Sequence, residues 1–235
     1  ARVDHRAKVS PGRGGTLARG YLVRLYASWT GTRRNLRCLR SNGWRLLMSP
    51  DTLARCAGKT APRWADGTAA PYALDNGAWG CFQRGEPFDS DSFLWAYERV
   101  SEGADWIVAP DIVGKGQESL RLTKQWLPRL NHPRVLIAVQ DGMKPQDIDD
   151  IMDEDSRGLF IGGSTEWKLK SLPMWGHYAQ RRGLYMHVAR VNTIGRLQTC
   201  RHFKADSIDG SSATRFAVNA AILPSVLKQT NLFGG

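Results

Sequence analysis

Eight short apolar runs, spaced along the chain with helix-like stretches between them, constrain this sequence more than any other feature. They are Tyr21 to Ala27, Trp44 to Met48, Tyr72 to Leu74, Trp106 to Ala109, Arg134 to Val139, Leu159 to Ile161, Tyr185 to Val191 and Asp206 to Asp209. Runs of three to eight apolar residues are the length of buried strands, and the intervening segments carry helix signals. Asp89 and Ser90 are N-cap residues for a helix through Val100, with Phe93, Leu94, Tyr97 and Val100 on one face. Gln117 to Leu130 reads as a helix broken by Pro128, and Pro145 suits the first turn of another. Eight β–α repeats in 235 residues match a compact (β/α)₈ TIM barrel. An open doubly wound sheet has the same alternation. The barrel is preferred because polar groups end many different strands, while the first strand is not followed by a Gly-rich phosphate loop.

Those strand ends carry the chemistry. Asp75, Asp111 and Asp209 each follow an apolar run, and the carboxyl ends of barrel strands are where such folds build their sites. Taken alone, an aspartate after a strand is a turn former or a helix cap. Three in one layer repel each other, which raises at least one pKa and suits acid–base work. A carboxylate can also attack an anomeric carbon and hold the sugar covalently. Gln140 offers a donor and an acceptor together, and Gly162-Gly163 exposes backbone N–H groups.

Charge narrows the partner. A net charge of +11 points to a polyanion, DNA or RNA, against the rival of a merely solvated basic surface. Basic runs lie at Arg33-Arg34, Lys168 to Lys170, Arg181-Arg182 and Arg190 to Arg201. Residues 1–20 are basic, Gly-rich and aperiodic, and are expected to form an arm ahead of a single domain over 21–235. The four cysteines are scattered without a CxxC pair, so neither a zinc site nor a disulfide framework is expected. No apolar run reaches the roughly 20 residues of a membrane span, and no leader is evident, so the expectation is a cytoplasmic protein with no membrane partner.

Six segments in order resemble the tRNA-guanine transglycosylase superfamily: Asp75-Asn76-Gly77-Ala78-Trp79, Asp111, Val139-Gln140-Asp141-Gly142-Met143, Gly158 to Gly163, Met186-His187-Val188, and Ser207-Ile208-Asp209 through Thr214-Arg215. The resemblance covers roughly Pro71 to Phe216. It implies a (β/α)₈ barrel that exchanges a guanine in a polynucleotide for a free 7-deazaguanine base, with no cofactor. By position it makes Asp209 the nucleophile and Asp75 the acid–base carboxylate. It assigns Asp111, Gln140 and Gly163, beside Gly162, to the purine edge. Trp79 and Met186 would sandwich the base, and Arg215 would sit near the substrate phosphates. Many members are homodimers, which leaves a homodimer open.

The chain also departs from the tRNA enzymes. They carry a zinc site of three Cys and a His after the last strand, whereas no Cys or His follows Arg215 here. Asn76-Gly77-Ala78 replaces the usual Ser-Gly-Gly, and Asp141 replaces a Gly. A compact barrel without the zinc-binding subdomain is more similar to the DNA-modifying branch found in phages and bacterial modification clusters. DNA is therefore the expected polymer, with RNA as the alternative, and a non-catalytic nucleic-acid-binding barrel is the alternative to an enzyme. Lys168, Lys170, Arg190, Arg196 and Arg201, which follow strand ends or lie on the next helices, are the candidates to grip its phosphates.

Overall fold

The computed structural model describes residues 23–152, 156–210, 212–215 and 220–229. The expected N-terminal arm, 1–20, lies outside the described residues. Eight parallel strands close into a barrel in sequence order: β1 (Arg24–Ser28), β2 (Arg45–Met48), β3 (Tyr72–Leu74), β4 (Ile107–Val108), β5 (Val135–Val139), β6 (Arg157–Ile161), β7 (Tyr185–Val188) and β8 (Ser207–Asp209). The ring shuts where β1 pairs with β8, with Tyr26 opposite Asp209. Each strand falls within or beside its apolar run, because only those runs supply side chains that can be buried on both faces.

The helices between strands are α1 (Arg33–Ser41), α2 (Pro50–Arg55), α3 (Ala78–Arg84), α4 (Ser90–Val100), α5 (Gly116–Trp126), α6 (Thr165–Arg182) and α7 (Ile194–His202), followed by α8 (Ser212–Arg215) and α9 (Ile222–Gln229). Their ends follow the local chemistry. Asp89 accepts the Ser92 N–H at 2.9 Å and caps α4. Ser49 and Thr52 form a reciprocal capping box at α2, with Pro50 in the first turn. α5 stops at Trp126, and Pro128 continues only as a single tight turn, as its missing N–H requires. On α4 the buried stripe is Phe93, Ala96 and Val100; Leu94, expected on that face, is 37% exposed. Between β5 and β6 only short turns, Pro145–Asp147 and Asp149–Ile151, replace a full helix among the described residues.

Two apolar layers result. Leu25, Leu46, Leu74, Ile137, Leu159 and Met186 point outward and meet the helices. Tyr26, Leu47, Ala73, Trp106, Val108, Leu136 and Ala138 fill the barrel interior, with Phe160 and Tyr185 packed against them. Side chains alternate at period two along a strand, so continuing the inward set one step beyond Ala73 and Ala138 reaches Asp75 and Gln140. The interior leaves no room at Gly158: a Cβ there would lie 2.6 Å from Leu136 Cδ2 and 2.8 Å from the Tyr185 carbonyl. Gly158→Ala is therefore expected to cost about 1–3 kcal/mol of stability, checked by urea unfolding. A variant as stable as the parent would show that β6 and β7 can separate without penalty.

Candidate active site

The inward residues at the carboxyl ends of the strands open into one cavity of about 490 Å³. Asp75, Asp111, Gln140, Phe160, Gly162 and Asp209 line it, with Trp79, Arg190 and Arg196 toward its rim. That volume lies within the range of small-molecule sites. A second cavity of about 680 Å³ adjoins it, sharing Ser28, Asp75, Trp79 and Gln83, and adds Trp29 and Arg55 to its walls.

Asp75 and Asp111 are held differently. Asp75 is pushed up to about 7, first because the surrounding protein strips away its water and then because Asp209 and Asp111 are negative; the amides of Gly77 and Asn76 pull the other way. Asp111 is pushed up to about 6 by desolvation, opposed by donors from Asn76 and Gln140. Asn76 is 3% exposed and donates through Nδ2 to Asp111 Oδ1 at 2.7 Å and to the Ala109 carbonyl at 2.8 Å. That bridge from the β3 end to the β4 end places Asp111, which lies three residues beyond its strand. Asn76 is therefore one of the two side chains, with Gln140, that orient Asp111.

The residues that the resemblance assigns to a purine edge are closed on themselves. Gln140 donates through Nε2 to Asp111 Oδ2, and its Oε1 accepts the Gly163 N–H at 2.8 Å and the Gly114 N–H at 3.2 Å. Gly162 is required beside it, since a Cβ would lie 2.8 Å from Gln140 Nε2. A ligand using the Gly163 N–H must share it with this glutamine or displace it. Asp141 is tied away from the cavity floor: it accepts the Ser164 N–H at 2.7 Å and the Ser164 hydroxyl at 2.6 Å, fastening the start of α6.

Asp209 ends β8 at 9% exposure. Its Oδ1 accepts from His187 Nε2 at 3.0 Å and from the Arg190 amide at 3.1 Å. No described residue donates to Oδ2, which leaves one carboxylate oxygen for a ligand. Arg190 adopts φ 56°, a left-handed backbone that is costly for a residue with a side chain, and that conformation aims its N–H at Asp209. Its guanidinium donates to the Gly163 carbonyl and sits 4.1 Å over the Trp79 ring, so it belongs to the cavity wall.

Three expectations need correction. Met186 does not sandwich a base: it is fully buried in the outward layer against the helices. Its neighbours Tyr185 and His187 take the inward positions, and Phe160 supplies the apolar floor instead. Lys168 is not a phosphate contact. It is 3% exposed, donates to the Ala189 carbonyl, and is lowered to about 8 by desolvation and by Arg190. Arg201 is remote from the mouth, in the last turn of α7, whose first turn begins at the rim. At 1.5 Å per residue that separation is about 10 Å along the helix. Lys170 is exposed in the second turn of α6, and Arg196 lines the cavity. Trp79 lines it too, but its ring already carries Arg190 and stacks with Phe82 at 5.5 Å. The backbone of Arg215 closes α8; its side chain lies outside the described residues.

The sequence reading missed Asn76, Phe160 and His187 as functional residues. The signal for His187 was available in the pairing of polar positions: it stands opposite Ser207 in the β7–β8 register and so shares the inward face with Asp209, two residues on.

Among the described residues, no helix is long and apolar enough to cross a membrane. No family model matches the sequence, and no curated protein matches it. Solved structures do match the fold. A 3-hexulose-6-phosphate synthase aligns with a TM-score of 0.54 at 10% identity, covering 88% of this chain and 99% of that one. The 7,8-dihydropteroate synthase of Vibrio fischeri ES114 aligns at 0.51 and 11% identity, covering 91% and 94%. At such identities the likeness is one of fold: this chain is a TIM barrel.

Proposed function

We propose that this protein is an enzyme, a base-exchange transglycosylase that replaces guanine in DNA with a 7-deazaguanine. One observation carries the reading: Asp75 and Asp209 line the same cavity, close enough for the charge of one to raise the other's pKa, with Asp111 and Gln140 beside them. Asp209 Oδ2 attacks C1′ of the target nucleotide, and the C1′–N9 bond breaks with its electron pair leaving on guanine. Asp75, protonated below about pH 7, gives that base its proton. The incoming 7-deazaguanine returns a proton to Asp75, its N9 attacks C1′, and the Asp209 carboxylate leaves. Asp111 and Gln140 hold the purine edge over Phe160.

A base inside a duplex must leave its stack to enter this cavity, at a cost of a few kcal/mol. Phosphate contacts at a basic rim offset that cost, and Arg190 and Arg196 already stand on it, with Arg55 in the adjoining cavity. Removing the outer cations as Lys170→Ala and Arg196→Ala is expected to weaken DNA binding. It should also flatten the slope of log K against log salt by up to about one unit for each lost phosphate contact. Unchanged slopes would move the polymer to another face.

The test of the reaction is direct. DNA and tRNA, each with labelled 7-deazaguanine, are incubated with the protein and their nucleosides analysed by mass spectrometry. Labelled base in DNA is the expected result. Label in tRNA alone would change the polymer, and label in neither would end the proposal.

A further inference from the structure

The polar chain beneath Asp209 is unused by the mechanism above. Tyr185 Oη lies 2.8 Å from Ser207 Oγ, Ser207 Oγ lies 2.8 Å from His187 Nδ1, and His187 Nε2 lies 3.0 Å from Asp209 Oδ1. His187 is fully buried among aromatic rings: Phe160 stacks on it at 5.0 Å, Trp106 lies at 4.6 Å and Tyr26 at 6.0 Å. The charged or titratable groups around it are Asp209 on β8, Lys168 on α6, Tyr26 on β1 and its own neighbour Tyr185. Desolvation lowers its pKa despite the pull of Asp209, and Lys168 adds to the lowering, so its burial favours the neutral ring.

A neutral imidazole has one N–H, and where it sits decides what Asp209 feels. With the proton on Nδ1, the Nε2 lone pair would face the carboxylate. With the proton on Nε2, the imidazole donates to Asp209 Oδ1 and accepts from the Ser207 hydroxyl, which in turn accepts from Tyr185. Every donor in the chain then has an acceptor.

We infer that His187 is the positioning residue of Asp209: as a neutral Nε2–H imidazole, together with the Arg190 amide, it occupies Oδ1 and turns Oδ2 into the cavity as the attacking oxygen. This rests on the transglycosylase reading for its consequence and on the hydrogen bonds alone for its geometry. Neutral donors suit a nucleophile, because a cation on Oδ1 would hold the carboxylate charge that must be given up on attack. The β7 end is clamped to keep them in place, by Lys168 on the Ala189 carbonyl and by the left-handed Arg190.

Two measurements on the full chain test this. ¹⁵N NMR of labelled histidine, with His187 assigned through His187→Gln, reads the tautomer without any substrate: a neutral ring protonated on Nε2 from about pH 6 to 8 is expected. Single-turnover formation of the Asp209–DNA adduct reads the consequence. His187→Leu, which removes the donor, is expected to slow it about 10²-fold with KM for DNA within about twofold. His187→Gln, which keeps an N–H, is expected to recover about tenfold of that loss, and Ser207→Ala to slow it about tenfold. An imidazolium, an Nδ1–H tautomer, or equal losses in the Leu and Gln variants would overturn the inference. If the Leu variant does not fold, the tautomer together with Gln and Ser207→Ala decides it. Failure of the transglycosylase reading is separately visible, because the parent protein would then form no Asp209–DNA adduct and exchange no labelled base, while the tautomer stays as stated.

Discussion

Asp209→Asn is expected to abolish base exchange, by at least about 10⁴-fold in kcat, while leaving the fold and its melting temperature within a few degrees of the parent. The size follows from the role, since loss of a covalent nucleophile removes the intermediate rather than weakening one contact. The preserved fold follows from the surroundings. An asparagine keeps an oxygen at Oδ1 to accept from His187 and the Arg190 amide, and places its NH₂ where Oδ2 met the cavity. Binding should survive the substitution, because phosphate contacts and Asp111 are untouched. The measurement is single-turnover transfer alongside DNA binding and thermal melting. Loss of exchange with intact binding is the expected pattern. Retained exchange would show that another group attacks, and loss of binding in step with exchange would make Asp209 a ligand rather than a nucleophile.

Much of this architecture was legible because barrel strands are buried on both faces. A run such as Val135 to Val139, every residue of which is buried, cannot be mistaken for a surface segment. The same property hid the orientation of β7. In Tyr185-Met186-His187-Val188, outward and inward faces are both packed, so hydropathy does not say which residue looks into the cavity. The resemblance favoured Met186, and the register chose His187. Lys168 was misplaced for a related reason: a lysine on α6 reads as solvent-facing, yet its turn of the helix lies against the β7 end, where the Ala189 carbonyl accepts its hydrogen bond. Asp75 and Asp209 were legible because a carboxylate on the inward register at the carboxyl end of a strand has few other places to be. The Asn76–Asp111–Gln140–Gly163 lattice was not, since its hydrogen bonds join residues 23 to 35 positions apart and depend on side-chain direction.

Asp75→Asn is expected to stop exchange and at the same time stabilise the protein at alkaline pH. The first effect comes from losing the proton carrier and is expected to be about 10²–10⁴-fold. The second follows from linkage. Asp75 titrates near 3.8 when the chain is unfolded and near 7 when folded, so between those values the native state holds a proton that the unfolded state has released. Stability therefore falls as pH rises from about 4 to 7, and above 7 the folded protein bears an ionised carboxylate short of water and beside Asp209 and Asp111. Asparagine carries no such charge and can still accept the Gly77 N–H that lies 3.3 Å from Oδ1. The variant should melt several degrees above the parent at pH 8, and the gap should close as the pH is lowered through 5 toward 4. Asp111, raised to about 6, adds the same sign of dependence in both proteins and so leaves the difference to Asp75. Melting curves from pH 4 to 8 measure it, and a gap that is constant across that range would mean that Asp75 is ionised in the fold without penalty. Where the gap does open, the same desolvation that weakens the fold is what keeps a proton on Asp75 near neutral pH, the proton that the proposed transfer gives to the departing base.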